Sequence, residues 1–154
     1  QKSTELGVCR FIPVTTQRTI VKLTSKKIEH RIRRWKKIVK TASKQCMRMD
    51  IPQVERLLTF DLGLEEIKKH NLSIIAWEKE KTVTLKKLMK NTNKDISSIA
   101  VLIGPEGGFT IDEIRKAEAA GAVSVSLGPR ILRAETAATT VCNIIMYELG
   151  DIGG

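Results

Sequence analysis

The strongest constraint in this sequence is the repeated return of short aliphatic runs, each separated from the next by a stretch with helical spacing. Residues 72–77 read LSIIAW, residues 98–103 read SIAVLI and residues 122–127 read AVSVSL. The run 98–103 is continuously aliphatic, which in an alternating pattern suits a strand covered on both faces, and such strands belong to parallel sheets flanked by helices. The pattern predicts an α/β domain with a parallel sheet. Its other expected strands are the apolar run 8–14 and a short strand at 53–58.

The intervening stretches have helix signals of differing strength. Residues 2–6 read as a helix end stopped at Gly7, and a polar loop fills 15–25. An amphipathic helix spans 28–47, with Ile32, Trp35, Val39, Ala42 and Cys46 on its packing side. Arg33, Lys37, Lys40, Lys44 and Arg48 line the opposite side. Short helices are expected at 62–69 and 82–90. The firmest boundary is T-I-D-E at 110–113, where Thr110 and Glu113 can satisfy each other's backbone donors; Gly121 ends that helix. The last helix covers 134–149 and opens with small residues that permit close backbone approach.

With 154 residues, 42% hydrophobic and 29% charged, the chain has material for one domain with a real core. No apolar stretch approaches the roughly 20 residues of a spanning helix, and QKSTELGV lacks the apolar core of a secretion signal. A soluble cytoplasmic protein without membrane partners is expected. A net charge of +10 points to a polyanionic partner, nucleic acid foremost. Cys9, Cys46 and Cys142 form no C-x-x-C pair and read as reduced core residues. His30 and His70 read as surface residues, so no metal site is expected.

Two loops carry the chemistry. GPEGGFT at 104–110 lies between a strand and a capped helix, at the carboxyl edge of the sheet where open α/β folds bind ligands. Gly107 and Gly108 expose main-chain groups to a ligand. The loop has neither the Gly-Lys-Ser/Thr of a P-loop nor G-x-G-x-x-G spacing. LGPRILRAETAA at 127–138 repeats the strand, Gly-Pro turn and helix, bringing Arg130, Arg133 and Glu135 to the same edge.

GPEGGFT followed by SLGPRILRAETAA resembles the RsmE family of uridine-N3 methyltransferases for 16S ribosomal RNA, within the SPOUT class. KSTELGV with FIP at 2–13, RWKKIVKTASKQCMR at 34–48 and IIAWEKE at 74–80 agree in order, so the resemblance spans nearly the whole chain. It implies an α/β fold with a deep C-terminal trefoil knot, S-adenosylmethionine as cofactor, a homodimer, and the small ribosomal subunit as partner. By motif, Ile103, Gly104, Glu106, Gly107 and Gly108 would form one cofactor wall, and Leu127, Gly128, Ile131, Leu132 and Arg133 another. Thr136 and Ala137 would close the site, with Trp77 along a third wall.

Uracil N3 carries a proton at neutral pH and is a poor nucleophile until that proton leaves. A cation beside a uracil carbonyl stabilises the anion as it forms, the role expected of Arg133, while Glu135 is the leading carboxylate either to take the proton or to orient the arginine. Glu5 and Glu106 are weaker candidates. RNA capture is expected from Arg10, Arg18, Arg31, Arg34, Lys37, Lys44 and Arg48, with Arg48 and Gln45 at family-matching positions. Only 4% of residues are aromatic, which favours backbone and shape recognition over base stacking. The family's N-terminal β-barrel domain of the PUA type is expected to be missing, since the chain starts near that domain's far boundary. Two other readings remain: a non-catalytic RNA-binding or ribosome-assembly module, and a knotted methyltransferase for transfer RNA.

Overall fold

The computed structural model describes residues 1–19 and 24–154. The centre of the predicted polar loop therefore lies outside the described residues. Element order is α1 (Lys2–Glu5), β1 (Arg10–Phe11), β2 (Val14–Thr15), α2 (Ser25–Gln45), β3 (Gln53–Val54), β4 (Leu58–Thr59) and α3 (Phe60–Ile67). Then follow β5 (Leu72–Ala76), α4 (Leu85–Asn91), β6 (Ile99–Leu102), α5 (Ile111–Ala119), β7 (Ala122–Val125) and α6 (Ala134–Leu149).

Strand β5 is the centre of a parallel sheet ordered β6-β5-β7, with Ile74 opposite Val101 on one side and Val123 on the other. Ile74 and Ile75 are both 0% exposed, and because successive strand residues face opposite ways they anchor two separate cores. Ile75 packs with Phe60, Leu64 and Ile67 of α3 and with Ile114 and Ala117 of α5. Ile74 packs on the other face with Leu85 and Met89 of α4 and Val141 and Ile145 of α6. The result is the expected parallel sheet flanked by helices.

Several expectations need correction. The run 8–14 is not one buried strand but β1 and β2, which pair in parallel with β3 and β4, and none of its residues is fully buried. Pro13 has no N–H to give a ladder, so pairing breaks there. Register shifts by one residue between Phe11↔Val54 and Val14↔Leu58, which also divides the predicted strand 53–58. Strand β6 is half-buried at the sheet edge rather than covered on both faces. Trp35, placed on the packing side of α2, is 38% exposed: only Val39, Ala42 and Ser43 of that helix are buried, where it meets α1 and β3. Cys9 is exposed, and Cys46 and Cys142 are half-buried, so none is a core residue. His70 is half-buried, its Nδ1 donating to the Glu66 carbonyl at 3.1 Å.

Helix α5 has the predicted capping box, and Gly121 follows it with φ +94°. Helix α6 has the predicted bounds. Among the described residues no helix is long and apolar enough to cross a membrane, and no group of His, Cys, Asp or Glu is arranged to hold a metal ion.

Candidate functional site

Three connections leave the carboxyl ends of adjacent parallel strands: residues 77–84 after β5, 103–110 after β6 and 126–133 after β7. Parallel alignment alone brings them to one edge, because every strand of this sheet ends on the same side. The first is tied to the third. Trp77 N donates to Val125 O at 3.0 Å; one residue on, Ser126 pairs with Thr84, donating to Val83 O at 2.8 Å and accepting from Leu85 N at 3.0 Å. Glu80 braces the first connection from within, accepting from the amides of Thr82 at 2.6 Å and Val83 at 3.1 Å. Those two amides foremost hold its carboxyl below the ordinary carboxylate range.

The glycine loop sits between two charged side chains. A Cβ on Gly107 would stand 3.2 Å from Arg18 Cβ, and one on Gly108 would stand 3.2 Å from Glu78 Oε1. Gly108 also has φ +67°, a region costly for residues with a side chain. Its N–H donates to Pro105 O at 2.8 Å, closing the turn. Gly128, on the third connection, has φ +118° and open space around it. The half-buried Trp77 packs against the core beneath α3 and α5, and its indole Nε1 is shielded from solvent with no acceptor among the described residues.

The structure brings most expected cofactor residues to this edge. Ile103 and Gly104 are half-buried, Glu106 and Gly107 exposed, and Leu127 and Leu132 half-buried. Ile131 is 85% exposed on the rim, which its expected role in a wall does not explain within a single chain. Arg133 is the N-cap residue of α6, its carbonyl accepting from Ala137 N at 2.8 Å, while its side chain is exposed. Glu135 and Thr136 lie exposed in the first turn of the same helix, and Ala137 is buried. No ion pair joins Arg133 to Glu135 among the described residues, so both side chains stay uncommitted by each other. Glu5, on α1, and Glu106 are likewise exposed.

The basic residues divide. Arg31, Arg34, Lys37, Lys44 and Gln45 are exposed along α2. Arg10 is committed to Glu55 and Glu66. Arg18 donates from Nη1 to Gly107 O at 2.7 Å. Arg48 donates from Nη1 to Thr4 O at 2.8 Å and Val8 O at 2.9 Å, and its Nη2 pairs with Asp50 at 2.8 Å. Arg10, Arg18 and Arg48 thus each have partners within the protein, while Arg10 and Arg18 remain exposed. The sequence expectations also omit Glu78, whose only signal is its place directly after the tryptophan that leaves β5.

A glycine-lined edge of a parallel α/β sheet defines a ligand-binding class, and comparison with known proteins specifies it. Residues 1–146 match the RNA methyltransferase domain family, and the chain belongs to that family. Ribosomal RNA small subunit methyltransferase E of Bacillus subtilis is 34% identical over 151 residues, 96% of this chain and 59% of that protein. The protein of that name from Synechocystis is 39% identical over 137 residues, covering 88% of this chain and 44% of its own length. The chain thus spans about half to three fifths of the length of these relatives. Two solved structures superpose with a TM-score of 0.86. One is a putative methyltransferase from Legionella pneumophila in complex with the bound cofactor SAM, 35% identical, covering 96% of this chain and 58% of that one. The other is ribosomal RNA small subunit methyltransferase E from Neisseria gonorrhoeae bound to S-adenosyl methionine, 32% identical, covering 98% and 60%.

Proposed function

We propose that this chain is an S-adenosylmethionine-dependent methyltransferase domain, residues 1–154 as one unit, acting on N3 of a uridine in 16S ribosomal RNA of the small subunit. The observation that carries this reading is the convergence of the connections after β5, β6 and β7 at one sheet edge. The residues fit the methyl donor. Gly128 leaves open space at the edge, and at Gly107 and Gly108 the room a side chain would need is already taken by Arg18 and Glu78, so the loop can meet a ligand only through its main chain. The remaining walls are assigned to Ile103, Glu106, Leu127, Ile131, Leu132, Arg133, Thr136 and Ala137.

The bound cofactor supplies an electrophilic methyl group on a sulfonium. The rest would fall to the protein, which has to hold the uracil against that methyl group and give the N3 proton a base to pass to. Arg133, exposed at the start of α6, is assigned to a uracil carbonyl, where a preorganised cation is worth about 3 kcal/mol. Glu135, in the same first turn, is assigned the proton or the orientation of Arg133. Arg31, Arg34, Lys37, Lys44 and Gln45 along α2 are assigned to the RNA backbone, and the cytoplasm is where the substrate is assembled.

The knot and the homodimer belong to the same reading. The knot is carried by the family resemblance alone; in the sheet, residues 77–83 loop out between Ala76, beside Val125, and Thr84, beside Ser126. Exposed Ile131 and Tyr147, on the third connection and α6, support a second copy against that surface. Sedimentation velocity should give twice the chain mass.

Calorimetry with S-adenosylhomocysteine tests cofactor binding first; absence of heat from folded protein would leave an RNA-binding module as the better reading. Incubation with unmodified small subunits followed by mass spectrometry of digested RNA tests the target. Methyl on uridine N3 is expected, and methyl on any other base, or on transfer RNA alone, defeats the assignment.

A further inference from the structure

Glycine loops that bind through the main chain must have their peptide planes set before the ligand arrives, and this loop contains little that could set its own. Its two adjacent glycines are free of side-chain restraint, and Glu106 and Gly107 are exposed. The peptide unit joining Gly107 to Gly108 is nevertheless held at both ends. Its N–H donates to Pro105 O at 2.8 Å within the loop. Its C=O accepts from Arg18 Nη1 at 2.7 Å, a donor 89 residues away in sequence. Because the peptide is planar and trans, opposed bonds at its two ends fix its rotation.

Arg18 is itself mounted on a hydrogen-bonded turn. Thr19 N donates to Thr16 O at 3.1 Å, and Thr16 N donates to Thr19 Oγ1 at 2.9 Å. Between them, Gln17 N donates to Glu113 Oε1 at 2.7 Å. Glu113 is only 6% exposed, and its other oxygen accepts from Thr110 N at 2.9 Å. The Thr16–Thr19 turn therefore grips the glycine loop at two places, directly at Gly107 and through a buried carboxylate at Thr110. From the other side, Glu78 lies against Gly108.

We propose that the Thr16–Thr19 turn is a strap that presets the Gly107–Gly108 peptide for cofactor binding, with Arg18 as its positioning residue rather than an RNA contact. This rests on the methyl-donor reading of the site. Its own content is that a segment before α2, outside the three sheet-edge connections, controls the geometry of one of them.

The test combines S-adenosylhomocysteine calorimetry with amide exchange at Gly108, followed by NMR, on the wild type, Arg18→Ala and Arg18→Lys. Arg18→Ala should raise Kd about tenfold, equivalent to about 1.4 kcal/mol, with little change in thermal midpoint. The Gly108 amide should exchange faster in that variant while the amides of α5 keep their protection. Arg18→Lys, which keeps a donor on a long stem, should recover part of both effects. Equal affinity in Arg18→Ala and wild type overturns the proposal, as does unchanged Gly108 exchange. If wild-type protein binds no S-adenosylhomocysteine, the reading of the site fails instead, and Gly108 exchange still decides whether the strap exists.

Discussion

Arg48 shows how little a residue's type says about its task until its partners are known. Its position after a run of cations suggests a solvated charge for RNA, yet its side chain is 15% exposed and binds carbonyls 44 and 40 residues earlier in the chain. Spacing cannot reveal this, because both acceptors are main-chain oxygens that any sequence supplies. Arg48→Met keeps most of the stem and removes the charge-assisted bonds, leaving two carbonyls short of a donor. It should cost about 2–3 kcal/mol in urea unfolding. Were Arg48 instead a phosphate contact, the salt dependence of RNA binding would fall by about one charge; no such fall is expected. The cysteines give a second residue-scale outcome. Burial above all pushes the Cys142 thiol up, whereas Cys9 is exposed. Iodoacetamide at mildly alkaline pH should modify Cys9 first and Cys142 last, read by peptide mass spectrometry; the reverse order would contradict the packing of α6.

At the scale of elements, what the sequence makes legible is what depends on neighbours along the chain. The capping box at Thr110 and the small-residue start of α6 are local signals, and the structure has both. Trp35 is misjudged because helical period tells which side a residue shares, and nothing about what lies opposite: α2 is 21 residues long, and its buried positions lie in its C-terminal half. The edge position of β6 is hidden for a similar reason, since strand order is set by crossovers and not by apolar content. The connection after β5 illustrates a contact legible only in three dimensions, with Glu80 accepting two amides of its own loop. Its depressed pKa means the added stability is present above the ordinary value of 4.5 and disappears as pH falls through the depressed folded value. If that loop helps to enclose the methyl donor, S-adenosylhomocysteine affinity should drop in this acid range. Glu80→Gln should bind more weakly at neutral pH and lose less on acidification. Parallel pH profiles for the two proteins would exclude Glu80 as the cause.

For the whole molecule, the division of labour among its cations is the main consequence of the fold. The net charge of +10 is a property of composition, and by itself it says only that polyanions are attracted. Folding gives Arg10, Arg18 and Arg48 partners within the protein, with Arg48 the most enclosed of the three, and leaves Arg31, Arg34, Lys37 and Lys44 displayed on α2. Lys37 and Lys44 are seven residues apart and so lie on nearly the same line along that helix, about 10 Å from each other, which lets both face one RNA backbone. Each cation that neutralises a phosphate releases counterions and adds close to one unit to the slope of log K against log salt. Replacing both with glutamine should therefore weaken RNA binding more at low salt than at high salt and reduce the slope by about 1.4–1.8. S-adenosylhomocysteine affinity should stay the same, because the glycine loop is held by Arg18 and Glu113 and not by these lysines. A binding titration at several salt concentrations checks the first expectation and calorimetry the second. An unchanged slope would move the RNA path off α2, to the exposed rim around Arg130 and Arg133.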